Sequence, residues 1–289
     1  MKRMLQLESE FAIVPANRIS QPARVIGTDM MFDTVTYEIQ DSIAEIRLNR
    51  PHRLNAVVQQ LYDDVLTALD QSEKDKKVRV IVLTGEGGAF CVGADMKEHK
   101  AGRAAFDRRQ YLMSEQRVCR RLVSHPKPII AAVNGYALGA GAEMAIACDF
   151  MVMAASARIG FPEIGLGAFL GGGVTRILPR LVGLAKAREL LFLGRQIDGA
   201  EAVRIGLASN CIPDGEFAER VRTLASELSN KAPFSMQLAK EQLASAADGT
   251  FEAALTAELE GMMFCSTTRD WQEGVDAFAE KRSPVFLGE

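Results

Sequence analysis

The sequence predicts an α/β domain built on a largely parallel sheet. Two observations carry this. Segments with strand and helix patterns alternate through the first half of the chain, and Val80-Ile81-Val82-Leu83 and Ile129 to Val133 are continuous apolar runs of the kind buried on both faces of a parallel sheet. A third observation limits the domain: beyond Gly171 the pattern turns almost wholly helical.

Val35, Tyr37 and Ile39 alternate with polar neighbours and read as a strand, turned at Asp41-Ser42 into a return strand from Ile43 to Leu48. Leu61, Val65, Leu66 and Leu69 recur at helical spacing, which predicts an amphipathic helix over 57–72. The charge run Glu73–Lys77 reads as a solvated helix end. Residues 100–123 are expected to be mostly helical, leading into the strand at 129–133, a short helix carrying Glu143, and an apolar strand from Phe150 to Ala154. Short helices are expected over 174–181, 185–193 and 199–206, and longer ones over 216–228, 235–246, 251–265 and 269–281. Three parts follow: an N-terminal extension over 1–30, an α/β core over 31–230 and a helical region over 231–289.

The 289 residues suffice for a sizeable core. A formal net charge of -3 argues against a nucleic-acid partner held by bulk electrostatics. No apolar run approaches the roughly 20 residues of a membrane helix. The five cysteines are widely spaced with no CxxC, so free thiols in a reducing compartment, the cytoplasm, are expected. The three histidines form no close ligand pair, and no metal site is expected. Residues 1–30 lack a clean apolar h-region and contain Glu8 and Glu10, unlike a secretory signal.

The chemistry concentrates in Pro128–Glu163. Glu143 stands among small residues on an apolar helix, where a charge is costly unless used or paired. One helix–strand–turn unit separates it from Glu163. Two facing carboxylates in an apolar pocket can split acid and base roles or hold a water between them. Against this stands the plain alternative of two capping or surface glutamates. Gly139-Ala140-Gly141 lets backbone N–H groups approach a ligand closely, and Gly93-Ala94 offers a second such place. Converging amides would stabilise an enolate oxygen; ordinary tight turns would need the same residues. No GxSxG, GxGxxG or Walker A pattern occurs. Cys91 and the methionines Met144, Met151 and Met153 read as core filling.

NRPHRLNA (49–56), VIVLTGEGGAFCVGADMKE (80–98), PIIAAVNGYALGAGAEMAIACDF (128–150), FPEIGLG (161–167), GRQIDGAEAVRIGLAS (194–209) and FAEKR (278–282) occur in this order. Together they resemble the crotonase (enoyl-CoA hydratase/isomerase) superfamily, hydratase branch, from about Phe32 to Phe286. The resemblance implies a spiral of repeated ββα units with a C-terminal helical trimerisation region. It implies an acyl-CoA thioester substrate and no separate cofactor, coenzyme A being part of the substrate. Hydration of a 2-enoyl-CoA to a 3-hydroxyacyl-CoA would follow, with Glu143 activating water and Glu163 exchanging the α-proton.

On matching motifs the amides of Ala94 and Ala140 would form the oxyanion hole. Arg53, Leu54 and Ala56 would run along coenzyme A. Ala94, Asp95, Met96 and Lys97 would form the opposite wall, and Phe278 and Lys281 would reach a neighbouring subunit's ligand in a homotrimer or hexamer. The chain departs from the family at Leu170, often proline, and in the glycines that follow. Other readings are another acyl-CoA reaction of the superfamily (isomerase, decarboxylase or thioester hydrolase) or a non-catalytic RNA- or protein-binding member. Isomerases commonly use one carboxylate, so the presence of both glutamates favours hydration.

Overall fold

The structure, a computed structural model, describes residues 32–97, 105–245 and 248–289. The expected N-terminal extension, residues 1–30, lies outside the described residues.

The described residues open on a hairpin, β1 (Val35–Gln40) and β2 (Ile43–Leu48), paired antiparallel from Val35↔Leu48 to Gln40↔Ile43. Asp41 and Ser42 make the turn with φ of 49° and 67°. Helix α1 (Gln59–Lys74) follows and buries Leu61, Tyr62, Val65, Ala68 and Leu69. Large side chains buried in this way contribute about 1.5–3 kcal/mol each.

The next units share one plan. Strands β3 (Val80–Gly85) and β4 (Ala89–Cys91) precede α2 (Ala105–Ser124). Strands β5 (Ile129–Val133) and β6 (Tyr136–Leu138) precede α3 (Ala140–Ile146). Strands β7 (Phe150–Ala154) and β8 (Arg158–Gly160) precede α4 (Val174–Leu193). In each, the first strand joins one sheet and the second strand joins another. With β9 (Ile197–Asp198), α5 (Gly199–Arg204) and β10 (Asn210–Ile212), the sheets are β1-β2-β3-β5-β7-β10 and β4-β6-β8-β9. All pairings are parallel except β1 with β2 and β8 with β9. The chain therefore winds as a spiral of ββα turns.

The sequence pattern shows one sheet, and the second is a finding of the structure. Strands β4, β6 and β8 have three residues each, too few for alternation to register. The predicted breaks are sharper. α4 spans both short helices expected over 174–193 but is broken at Gly183, whose φ of 77° and ψ of 156° lie outside helical space.

The chain closes with α6 (Phe217–Ser229), α7 (Pro233–Ser245), α8 (Phe251–Ser266) and α9 (Arg269–Glu280). Lys240 on α7 docks this region on the core: its ammonium donates to Asp149 Oδ2 at 2.7 Å and to the carbonyls of Leu122 and Lys127 at 3.2 Å. Asp149 in turn accepts from the N–H of Ile129 at 2.8 Å, the first residue of β5. Asp270 holds the C-terminal residues by accepting from the N–H groups of Leu287 and Gly288 at 2.7 and 3.0 Å.

Candidate active site

Successive turns of the spiral deliver the polar groups to one place. β5 is wholly buried, and the turn after β6 starts α3 at Ala140. All seven residues of α3 are buried, which is possible because five of them are alanine, glycine or methionine. This sinks Glu143 to 1% exposure. Its carboxylate accepts the N–H of Gly171 at 3.1 Å, and also that of Gly172.

Glu163 opens the short 3₁₀ turn Glu163–Leu166 behind Pro162. Both its carboxyl oxygens are buried with no hydrogen-bond donor. A Cβ on Gly139 would stand 3.1 Å from Glu163 Oε1, so this carboxyl lies at the start of α3. Burial raises its pKa.

The two glycine turns abut. Gly93 and Gly139 have φ of 84° and 54°, and a Cβ on Gly93 would lie 3.4 Å from the amide nitrogen of Ala140. The Gly93-Ala94 turn and the start of α3 are thus neighbours. Val57 bridges to Ala94: its N–H donates to Gly93 O at 2.8 Å, and its carbonyl accepts from Asp95 N at 3.0 Å.

That bridge also sets Arg53 against Asp95, with Leu54 and Ala56 in the turn that leads to Val57. Arg53 Nη2 donates to Asp95 Oδ1 at 2.8 Å, and Arg50 Nη2 to Oδ2 at 3.4 Å. Burial works to raise the Asp95 pKa, but the Arg53 guanidinium, the Lys97 N–H and Arg50 outweigh it and hold the carboxyl below its ordinary value. Leu54 and Asn55 adopt left-handed φ of 50° and 57°. The buried Asn55 side chain supports the bend, donating to Glu86 O at 3.0 Å and Ala89 O at 2.8 Å. Leu54 is left exposed, as are Met96 and Lys97.

Phe278 and Lys281 are not brought to the glutamates. Phe278 is 88% exposed and lines a cavity of about 450 Å³ among the C-terminal helices, with Phe234, Trp271 and Val275. Lys281 is the left-handed cap of α9, with φ of 56°.

One site residue escapes the sequence reading. Glu115 on α2 is 7% exposed, and its carboxyl reaches the Gly171 peptide that also binds Glu143: a Cβ on Gly171 would stand 2.7 Å from Glu115 Oε2, and the Gly171 N–H donates to Glu143 Oε2 at 3.1 Å. A signal for it exists: Tyr111, Ser114, Glu115, Val118, Cys119 and Leu122 recur at helical spacing, which puts Glu115 on the buried stripe. Burial and the Glu163 charge push its pKa up to about 7. Burial, and next the Glu115 charge, push Glu143 up to about 8. Cys91 is pushed up to about 12 by burial, which leaves it a thiol and fits its reading as core. The loop after Glu163 ends with Phe169 exposed and Leu170 packed on the core.

The ββα spiral thus brings the buried Glu143 and the half-buried Glu163 to the start of one short helix. Residues 38–289 match the family model for enoyl-CoA hydratase/isomerase. The crotonyl-CoA hydratase of Syntrophomonas wolfei is 33% identical over 259 residues, covering 89% of this chain and 99% of that protein. A probable enoyl-CoA hydratase of Bacillus subtilis is 36% identical over 258 residues, covering 89% of this chain and 100% of that protein. The crystal structure of an enoyl-CoA hydratase from Bacillus anthracis superposes with a TM-score of 0.86 at 34% identity, covering 89% of this chain and 100% of that one. The chain belongs to the enoyl-CoA hydratase/isomerase family.

Proposed function

We propose that this protein reversibly hydrates a 2-enoyl-CoA to a 3-hydroxyacyl-CoA. One observation carries the reading: Glu143 is held as an acceptor by two backbone N–H groups, while the neighbouring Glu163 has both oxygens buried and without a donor. One carboxyl is fixed and the other is left to exchange a proton, the division that hydration needs.

In this reading water lies between the two glutamates. Conjugation to the thioester makes C3 electrophilic, and the water oxygen adds there as Glu143 accepts its proton. The electron pair moves toward the thioester oxygen, where the N–H groups of Ala94 and Ala140 stabilise the enolate. Glu163 delivers a proton to C2, and the proton held on Glu143 restores the starting state. No electrons leave or enter the substrate, so no redox cofactor or metal is required.

Coenzyme A would pass between Arg53, Leu54 and Ala56 on one side and Ala94–Lys97 on the other. Arg53 and Arg50 share Asp95, which fixes that wall and leaves Lys97 as the exposed cation for a phosphate. Phe278 and Lys281 would complete the site of a neighbouring copy in a trimer or hexamer. In support, α8 exposes Leu255, Leu259, Met262, Met263 and Phe264. Five free cysteines suit a reducing compartment such as the cytoplasm.

The test follows loss of enoyl-thioester absorbance over a panel of acyl chains. Glu143→Gln and Glu163→Gln should each lower kcat by about 10²–10⁴-fold with the fold retained by circular dichroism. Near-normal hydration by either variant would refute its assigned role.

A further inference from the structure

The hydration chemistry assigns work to two glutamates, yet three carboxyls meet in the site. Glu115 arrives from α2, two ββα turns before Glu163, and its place is fixed by the glycines after Leu170. A Cβ on Gly171 would stand 2.7 Å from Glu115 Oε2, while the Gly171 N–H donates to Glu143 Oε2 at 3.1 Å. One peptide unit therefore lies against both carboxyls. A Cβ on Gly172 would stand 2.7 Å from Glu143 Oε2 and 2.6 Å from Cys119 Sγ. The glycine run Gly171-Gly172 thus makes room for Glu115 and Glu143 together.

We propose that Glu115 is a positioning residue: it shares one proton with Glu143, and that proton fixes the orientation and charge state in which Glu143 meets water. The role rests on the hydratase reading; the shared proton itself does not. Two carboxylates cannot hydrogen-bond without a proton between them, and two adjacent buried anions repel strongly. Glu143 is held in place by two backbone N–H groups, and Glu115 has the Tyr62 hydroxyl beside it, so the proton belongs to the pair.

The surroundings favour the neutral partner. Tyr62 faces the pair from α1, Cys91 from β4, Tyr111 and Cys119 from Glu115's own helix, and Glu163 from the turn after β8. All are acidic groups. Burial raises the Tyr62 phenol and the Cys91 and Cys119 thiols, so these stay neutral and the glutamates are the groups left to titrate. Such a pair loses its protons in two macroscopic steps that belong to neither residue alone. Loss of the second proton would leave two anions at one peptide unit and deprive Glu143 of its side-chain donor.

The experiment compares Glu115→Gln and Glu115→Leu with the unaltered protein. Carboxyl-stretch infrared spectra across pH need no substrate, so they test the pair apart from the hydratase reading. The unaltered protein should show a protonated-carboxyl band at neutral pH that Glu115→Gln loses. An amide at 115 still donates to Glu143 but cannot titrate. Its kcat at neutral pH should stay within about threefold, and the alkaline limb of its pH profile should move up by about one unit or more. Glu115→Leu should lose kcat by about 10–100-fold with KM little changed. An unchanged infrared band in Glu115→Gln, or a uniform fall in kcat with the pH profile unmoved, would overturn the proposal. If the leucine variant does not fold, the glutamine variant decides on both readouts. If no variant and no unaltered protein hydrates any enoyl-CoA, the hydratase reading and the positioning role fall together, and the infrared band alone decides the shared proton.

Discussion

Gly171 donates its N–H to Oε2 of Glu143 at 3.1 Å from the far side of β7, β8 and the Glu163 turn. The contact holds the Glu143 carboxyl on α3 through the backbone of a glycine run that has no side chains to offer.

The closeness of that loop sets the first prediction. Gly172→Ala should lower hydration by about 10²-fold, because a Cβ 2.7 Å from Glu143 Oε2 and 2.6 Å from Cys119 Sγ must displace one of them. Overpacking of this kind also costs about 1–3 kcal/mol. Thermal unfolding with kcat separates the effects: the double variant with Cys119→Ala should recover stability more than activity.

Stability should fall as pH rises, the reverse of an ordinary carboxylate. Glu115 and Glu143 have ordinary values of 4.5 and are pushed up to about 7 and about 8 in the folded chain. Between those values the folded state binds more protons than the unfolded one, so ΔG of unfolding declines with increasing pH. Denaturant titrations from pH 5 to pH 8 should show the decline, and Glu115→Gln should flatten it and be the more stable protein at pH 8. A steeper decline in the variant would contradict the assignment of the raised values.

Asp95 should act on binding more than on chemistry. Asp95→Asn removes the anion shared by Arg50 and Arg53, whose side chains are 15% and 27% exposed, so solvent screens part of the loss. The expected outcome is a KM for acyl-CoA raised about tenfold, kcat within about threefold, and a stability loss of about 1–3 kcal/mol. Steady-state kinetics over acyl-CoA concentration reads this directly.

The break in α4 gives a prediction free of the site. Gly183, with φ of 77° and ψ of 156°, occupies backbone space open almost only to glycine. Gly183→Ala should cost about 1–3 kcal/mol, read as a lower Tm with kcat unchanged at a temperature where both proteins are folded.

What could be read from the chain depended on length and period. β3 and β5 declare themselves because five or six consecutive apolar or small residues leave no other reading. β4, β6 and β8 have three residues each and take their form from the sheet they join. Glu143 and Glu163 stand out because their neighbours are small or apolar. Glu115 sits amid Gln116, Arg117, Arg120 and Arg121, and that charged company hides that its own face of the helix is apolar. The Gly93-Ala94 turn is legible as a turn, but its adjacency to Ala140 comes only from pairing across the second sheet.

Glu115, Glu143 and Glu163 come from three consecutive windings, so the pitch of the coil sets their spacing. A residue inserted in a strand between two of them would shift one acid against the others, whereas Phe169 and Leu170 precede the glycines that hold Glu143 and lie outside that winding. Side chains at Phe169 and Leu170 can therefore be exchanged without altering that spacing, whereas strand length cannot be changed without altering it.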